Sequence, residues 1–369
     1  LIAPITKQTI KDFKRCKKYV WHKFNTPELI LEDEKNFFIP DYLLELFDLT
    51  NYIKQIHGIG YETENKENLE LLTQETLNAA KTQTIIYNPA VSFNGLYAKA
   101  NLIKRSRNSK FDLICSGKSV KVKRRYINDM AFTKFVFESA GILIKHAYVY
   151  TINKRFIKNG KINADELLVK NNITERVNEI YNKIKRQIDE ILTLINQKEP
   201  PEISFAAKCL SYNICQLKDK CWEKLPDRNV FLLTGSDRWD IGNELINKNL
   251  YDLKDIPEDF PLNEKQKIQF DCELSGREHV DKTKISEFIS TLKYPLYFLD
   301  FEATANMIIP VYDNTSSFQQ IPYQFSLHIM ENNKSKEKHY YFINPDQNDP
   351  RKRFIDKLIE LLGDTGSIV

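Results

Sequence analysis

The stretch Asp112-Leu113-Ile114-Cys115-Ser116-Gly117-Lys118 has the pattern of a buried strand that ends in a polar turn. Other runs of strand character precede it over residues 84–87, 90–93 and 96–104. Asn94-Gly95 is a hairpin signal between the last two runs. A helix pattern over 129–140 and a strand pattern over 144–153 follow. This mixed order predicts an α/β core with a central sheet flanked by helices.

Composition narrows the class of protein. The 369 residues are enough for two or three domains, and 42% apolar, 28% charged and 12% aromatic residues indicate a soluble, globular chain. The sequence has no apolar run near the ~18 residues of a membrane helix and no signal-peptide layout at its start. We therefore expect a cytoplasmic protein without a membrane partner. The non-Met start at Leu1 and the apolar end at Val369 suggest that both ends are cut.

Outside the core, periodicity predicts further elements. Apolar residues at helical spacing indicate helices over 6–24, 68–81 and 173–198. Residues 227–290 have the character of a helical connector. A second sheet then begins, with strands predicted over 295–301, 323–330 and 339–343.

Three cysteines at wide, equal spacing suggest a metal centre. They are Cys209, Cys215 and Cys221, and Cys16 on the first helix is the natural fourth ligand. Thiolates suit iron–sulfur clusters or zinc, and gaps of five residues favour a cluster because zinc ribbons prefer two-residue gaps. The alternative is that these are small buried cysteines without a ligand.

A pair of acids closes the strand at 296–299. Asp300 and Glu302 lie two residues apart, so they point to the same face of the strand. Two carboxylates in this arrangement are what two-metal phosphodiester hydrolysis requires of its first strand. The alternative is a surface pair at a strand end. His328 falls inside a strand pattern, which favours a structural role.

A resemblance to a known family rests on the later cysteines and on the stretch Lys14-Arg15-Cys16-Lys17-Lys18-Tyr19-Val20-Trp21. The chain resembles the RecB-type PD-(D/E)XK nucleases that are stapled by an iron–sulfur cluster. More closely, it is similar to an uncharacterised bacterial family in which such a module precedes a DnaQ-like, RNase H-like exonuclease domain. The stretch Gln319-Gln320-Ile321-Pro322-Tyr323-Gln324-Phe325 resembles the start of that second domain.

Within this resemblance, the catalytic positions of the first module are replaced. A PD-(D/E)XK site needs two carboxylates for Mg²⁺ and a lysine that orients water. The metal-binding aspartate corresponds to Asn101, and the Glu-x-Lys motif corresponds to Cys115 and Gly117. The helix glutamine corresponds to Thr133, and an acid is also expected near Asn88. Because Mg²⁺ demands charged oxygen ligands, we expect a nuclease fold without its nuclease activity. A one-residue shift in register, which would use Asp112 and Lys118, is the alternative.

Basic residues surround the same region. They are Lys104, Arg105, Arg107, Lys118, Lys121, Lys123, Arg124 and Arg125. Such a cluster would contact the phosphates of DNA or RNA without reading bases. The alternative is a solvated loop rich in lysine.

The resemblance implies a domain organisation, cofactors and a division of functions along the chain. Residues 1–226 would form the PD-(D/E)XK-like, restriction-endonuclease-like module with its cysteine cluster, 227–290 the helical connector, and 291–369 the first part of a DnaQ-like domain. A cluster, [4Fe-4S] in type, would occupy the cysteines, and Mg²⁺ or Mn²⁺ would bind Asp300 and Glu302. The first module would clamp nucleic acid, while two further acidic motifs and a His beyond Val369 would complete a 3′–5′ exonuclease site. The chain as given would not cut.

Two rival functions remain open. In the first, both sites are vestigial and the protein is a non-catalytic nucleic-acid-binding adaptor or a decayed remnant. In the second, the cysteines bind zinc and stabilise an interaction module.

Overall fold

The computed structural model describes residues 3–30, 49–64, 68–202, 209, 215–223, 225–304 and 308–369. The helices within these ranges are α1 (Lys7–Arg15), α2 (Lys17–Asn25), α3 (Thr50–His57), α4 (Leu69–Thr82), α5 (Arg124–Ser139), α6 (Ala164–Leu167), α7 (Thr174–Ile195), α8 (Lys218–Trp222), α9 (Arg238–Asn247), α10 (Glu264–Ser275), α11 (Lys282–Thr291) and α12 (Arg351–Leu361). The strands are β1 (Tyr61–Glu62), β2 (Ile85–Tyr87), β3 (Ala90–Phe93), β4 (Leu96–Lys99), β5 (Leu102–Arg105), β6 (Phe111–Ser116), β7 (Ile144–Ile152), β8 (Leu168–Asn172), β9 (Leu296–Thr304), β10 (Ile321–Met330), β11 (Lys338–Ile343) and β12 (Ser367–Ile368). The chain is therefore mixed α/β, as the sequence predicts. None of the helices in these ranges has the length and apolar character needed to cross a membrane.

The chain forms two compact units whose boundaries differ from the three predicted segments. One unit combines Leu1–Lys35 with Arg186–Ile285, and the other combines Asn36–Lys185 with Ser286–Val369. The N-terminal helices, the cysteine segment and most of the connector thus share one unit. The three sheets of the described residues lie in the other unit, which we call the sheet unit.

The larger sheet of the sheet unit has the strand order β1-β2-β5-β6-β7-β8. Strands β2, β5 and β6 form an antiparallel series, whereas β6 and β7 are parallel. A parallel pair needs a crossover connection, which α5 supplies through its buried residues Phe132 and Phe137. The strand predicted over 96–104 is interrupted, because β4 pairs with β3 in a separate hairpin. That hairpin turns at Asn94 and Gly95, whose φ angles of 46° and 76° confirm the predicted turn.

The smaller sheet has the strand order β11-β10-β9-β12. Strands β9, β10 and β11 are antiparallel neighbours, and β12 runs parallel to β9. One face packs against α12, where Phe354 contacts the ring of Phe325 edge-on in a core that includes Tyr297 and Leu327. The other face carries the acids of β9, so the predicted strands and their alternation are confirmed.

The single helix predicted over 6–24 is wrong, because the chain breaks at Cys16. This residue has extended backbone angles, with φ −157° and ψ 113°, and separates α1 from α2. Its sulfur accepts a hydrogen bond from the amide of Tyr19 at 3.3 Å, so Cys16 caps α2. The break contains neither glycine nor proline, and the helical spacing of apolar residues continues across it. The sequence pattern therefore does not reveal the break.

The region predicted as a helical connector has its own small core. Helices α9 and α10 pack with two short 3₁₀ turns, Val230–Leu232 and Leu253–Asp255. The fully buried side chains of this core are Val230, Leu233, Leu245 and Leu253. Residues 227–290 are thus mostly helical, and the part up to Ile285 belongs to the unit of the N-terminal helices.

Candidate nucleic-acid interface and metal sites

Two of the positions that the resemblance predicts to be replaced catalytic residues lie side by side on the larger sheet. Asn101 immediately precedes β5, and its Oδ1 accepts a hydrogen bond from the amide of Ser116 at 2.8 Å. Its Nδ2 donates to Thr50 Oγ1 at 3.4 Å. Because Leu102 pairs with Ile114 across β5 and β6, Asn101 lies next to the Cys115 end of β6. The two strand positions expected to form a metal site therefore meet, but with an amide and a half-buried thiol.

Asn88 adjoins this pair and has a carboxylate beside it. The amide of Asn88 donates to the carbonyl of Asn101 at 2.9 Å, and its Nδ2 donates to Glu62 Oε1 at 2.9 Å. Glu62 also forms a 2.7 Å ion pair with Lys54. Sequence reasoning missed Glu62, because β1 is only two residues long and carries no strand pattern. Position 88 itself carries an amide, and the carboxylate beside it comes from another strand.

Gly117 has no room for the lysine of the nuclease motif. A Cβ atom on this residue would lie 2.8 Å from the ring of Tyr126. That ring is held in place, because its hydroxyl lies 3.0 Å from both Ser119 Oγ and Arg125 Nη2. The tyrosine therefore occupies the space beside β6 into which a side chain at 117 would project.

Thr133 and Asp112 both have structural partners. Thr133 is buried in α5, where its hydroxyl donates to the carbonyl of Asp129 at 2.8 Å.

Asp112 Oδ1 lies 2.8 Å from His146 Nδ1 on the neighbouring strand. Since Asp112 precedes Cys115 by three residues, it lies about 10 Å further along β6. The alternative register would therefore place its acid away from Asn101.

The structure divides the predicted basic cluster into two groups. The hairpin at Ser106–Lys110 reverses the chain, so Lys104, Arg105 and Arg107 lie at the end of β5 away from Asn101. In that group, Arg105 donates from Nε to the carbonyl of Gln83 at 3.2 Å and from Nη2 to that of Ala80, and so has a structural role.

The second basic group lies at the other end of β6. Lys118, Lys121, Lys123, Arg124 and Arg125 are all exposed and follow the Cys115 end of the strand. Lys118, Lys121 and Lys123 form no ion pair within the described part of the chain. Charge available for phosphates is therefore concentrated on one side of the replaced catalytic positions.

Asp300 and Glu302 lie on the face of the smaller sheet opposite α12, which we call the acid face. Both side chains are exposed, and neither forms an ion pair with any residue that the structure describes. Asp300 pairs in register with Ser326 and Glu302 with Gln324. Two hard oxygen donors on one face fit the ligand preference of Mg²⁺ or Mn²⁺.

The acid face also carries two histidines. His328 and His339 stack with ring centroids 4.3 Å apart, and His339 Nε2 lies 3.0 Å from Ser326 Oγ. The side chain of His328 is 38% exposed and lies 3.6 Å from Glu337. His328 is therefore a surface residue of the acid face, not part of the core.

The four predicted cysteine ligands line one cavity. Cys16, Cys209, Cys215 and Cys221 share it with Arg15 and Lys218. Burial raises the pKa of the Cys16 thiol, the amide of Tyr19 lowers it, and the other three sulfurs raise it further by repulsion between thiolates. Cys115 and Cys272 lie elsewhere, on β6 and α10.

This donor set fits a metal cluster. Four soft thiolates converge, a backbone amide donates to one sulfur, and two cations are available to offset their negative charge. Across the described ranges, no three His, Cys, Asp or Glu side chains lie close enough to share a single metal ion.

Comparison with known families covers only the end of the chain. Residues 297–369 match a family model described as a domain of unknown function, DUF2779. No curated protein matches the chain. The matched region begins within β9 and includes Asp300, Glu302 and the whole of β10, β11, α12 and β12.

Proposed function

We propose that this chain belongs to a nucleic-acid-processing protein of the nuclease type. The sheet unit would combine a PD-(D/E)XK-like module that clamps nucleic acid with an RNase H-like, DnaQ-type module that binds the catalytic metal. The observation that carries the proposal is the pair Asp300 and Glu302, which are exposed on one face of β9 and form no ion pair with the described residues. By contrast, Asn101 and Cys115 offer no charged oxygen to a metal.

The residues of the acid face would have two roles, metal binding and phosphate binding. The carboxylates of Asp300 and Glu302 would hold Mg²⁺ or Mn²⁺, which when bound supplies an activated water and stabilises charge on a phosphodiester. Ser326 and Gln324, directly across from them on β10, are placed to donate hydrogen bonds to phosphate oxygens. A complete site of the DnaQ type, as the resemblance implies, also needs further acids and a histidine.

The replaced site of the larger sheet would act as a phosphate clamp. Lys123 caps α5, and Arg124 and Arg125 begin it, with no acid in the first turn. Positive side chains at the positive end of a helix repel the helix dipole, and a bound phosphate would offset this repulsion. This arrangement supports a role in binding the nucleic-acid backbone.

The cysteine cavity would hold an iron–sulfur cluster with a structural role. Cys16 lies at the break between α1 and α2, while the other three ligands lie in 209–221. A cluster would therefore join segments that are distant in sequence within one unit. Zinc is the alternative occupant. A cluster gives brown protein with absorbance near ~400 nm after anaerobic purification, whereas zinc gives colourless protein.

A degradation assay tests the catalytic proposal. We expect the longest natural form of the protein to shorten 5′-labelled DNA or RNA in the presence of Mg²⁺ or Mn²⁺, and Asp300→Ala to abolish this activity. Asp356→Asn, which removes an exposed acid on α12, is the matched control and should remain active. Wild-type protein that binds nucleic acid but never degrades it would contradict the exonuclease proposal.

A non-catalytic adaptor is the second candidate function. It is favoured by the finding that the described residues offer no third metal-ligating side chain beside Asp300 and Glu302. The adaptor would bind nucleic acid through the same lysines and arginines. Persistent binding without metal-dependent degradation in the assay above would select it.

A further inference from the structure

The segment after β6 and the connection between β9 and β10 line a pocket in the sheet unit. Its volume is about 530 Å³, within the ~300–1,000 Å³ range typical of small-ligand sites. It is lined by Lys118, Ser119, Val120, Lys121, Lys123, Ile308 and Phe318. Among the described residues that line it, three are cationic, three are apolar and none is acidic. This composition suits a ligand with both a phosphate and a flat apolar surface, as an unpaired nucleotide has.

The wall that carries the lysines is fixed by the larger sheet. The amide of Gly117 donates to the carbonyl of Tyr150 at 2.7 Å, and the amide of Ile152 donates to that of Ser119 at 3.0 Å. Ser119 is buried and its hydroxyl donates to the carbonyl of Lys121 at 2.7 Å. The backbone between the lysines is therefore held in one conformation, while their side chains remain exposed.

The opposite wall comes from Ile308 and Phe318, in the connection between β9 and β10. Ile308 is buried in the core of the larger sheet. Further along, the amide of Lys158 donates to the carbonyl of Thr315 at 2.9 Å, and Lys158 forms an ion pair with Asp313. Both walls are thus anchored, so the pocket exists before any ligand binds.

Phe318 has an unfavourable backbone conformation at this wall. Its φ angle is +64°, in the left-handed region that bulky side chains rarely adopt. The ring is partly buried against the core and lines the pocket. In addition, the buried hydroxyl of the neighbouring Ser317 has no hydrogen-bond partner within the described ranges. Strain of this kind is retained where it positions a functional side chain.

We propose that this pocket binds one unpaired nucleotide of a single-stranded DNA or RNA end, with the base on Phe318 and the phosphates at Lys118, Lys121 and Lys123. The inference rests on the proposed function and adds the substrate class. The stacking surface accepts any base, since aromatic stacking depends on the π-face that all bases share. Paired bases in a duplex cannot present that face, so single strands are preferred. The pocket would hold the strand at the connection that leaves the carboxylate-bearing β9.

Binding measurements on the full chain test the inference. The probes are fluorescent oligo-dT and oligo-U of about 12 nucleotides and a blunt duplex of the same length, followed by anisotropy between about 50 and 200 mM salt. Phe318→Leu should weaken single-strand binding by roughly 5- to 20-fold and leave duplex binding unchanged. Phe318→Tyr keeps the ring and should bind as wild type does. The two oligonucleotides distinguish DNA from RNA.

The lysines are tested by charge removal with a matched control. Lys118, Lys121 and Lys123 changed together to Gln should lower the salt slope of single-strand binding by about 2. The control changes three exposed lysines elsewhere in the sheet unit, Lys145, Lys183 and Lys185, to Gln. Thermal unfolding of every variant shows whether it is folded.

Two outcomes would overturn the inference, and they differ. If wild-type protein binds nucleic acid but the Phe318→Leu and lysine variants bind single strands within about twofold of the control, the pocket is not the site while the proposed function stands. If wild-type protein binds none of the probes at low salt, the proposed function fails and the inference fails with it.

Discussion

The side-chain oxygen of Asn101 accepts a hydrogen bond from the backbone amide of Ser116 at 2.8 Å. Where the nuclease resemblance places a metal-binding aspartate, the protein uses a neutral amide to hold the ends of β5 and β6 together. A position expected to serve catalysis thus serves the fold.

Asn101→Ala should lower the free energy of unfolding by about 1–2 kcal/mol, because the partly buried amide of Ser116 loses its acceptor. Asn101→Asp keeps an acceptor at the same place and should cost less. Urea-induced unfolding followed by circular dichroism measures both. Equal stability of Asn101→Ala and wild type would show that the hydrogen bond contributes nothing.

Gly117→Ala should destabilise the protein by about 1–3 kcal/mol, because the new methyl group would lie 2.8 Å from the Tyr126 ring. The double variant Gly117→Ala with Tyr126→Ala should show a smaller cost at 117 than the single variant does. A double-mutant cycle by thermal unfolding gives the coupling. A Gly117→Ala protein as stable as wild type would mean that the ring moves aside freely.

Replacement of any one of the four clustered cysteines by serine should remove the ~400 nm absorbance or the bound metal and lower the melting temperature. Cys115→Ser and Cys272→Ser are matched controls, since these thiols lie outside the cavity. Iron, sulfide and zinc analysis of anaerobically purified protein provides the readout. Metal content that falls equally in the control variants would contradict the assignment of ligands.

His57 should make the stability of the sheet unit sensitive to acid. Burial lowers its pKa to about 4, with Lys104 and Lys170 adding to the effect, and one ring nitrogen lies 3.0 Å from the Tyr150 hydroxyl. Because the unfolded chain has the ordinary, higher histidine pKa, it takes up a proton before the folded chain does. The contribution of neutral His57 to folding stability is fully present above the histidine pKa of the unfolded chain. It is lost as pH falls from about 6.5 toward 4.

His57→Gln tests this pH dependence, because glutamine cannot titrate in that range. Melting temperatures measured from neutral pH to pH 4 should fall less steeply for the variant than for wild type. His146→Gln, which removes a histidine that pairs with Asp112 on the larger sheet, is the comparison. An unchanged slope in His57→Gln would show that His57 does not carry the effect.

Local patterns in the sequence were enough to predict several elements. Alternation in β9 predicts that Asp300 and Glu302 share a face, and Asn94-Gly95 predicts the hairpin turn. Both depend on residues adjacent in sequence, where backbone geometry dictates the outcome. The convergence of Cys16 with the later cysteines was also predicted, from ligand chemistry.

Other features depend on contacts that sequence patterns do not encode. The break at Cys16 has no glycine or proline to mark it, and Glu62 reaches Asn88 only through the pairing of β1 with β2. The division of the basic residues follows from a hairpin that places Lys104 and Lys118 at opposite ends of β6. The lack of space for a side chain at Gly117 is caused by the Tyr126 ring, whose position the sequence does not show.

We infer that divalent metal binds at Asp300 and Glu302 and not at Asn101 and Cys115. Titration of the chain with Mn²⁺, with free Mn²⁺ followed by electron paramagnetic resonance, tests it directly. We expect Asp300→Asn combined with Glu302→Gln to abolish the Mn²⁺ site, and Asn101→Ala combined with Cys115→Ala to leave it intact. Loss of Mn²⁺ binding in the second variant, with retention in the first, would contradict the claim.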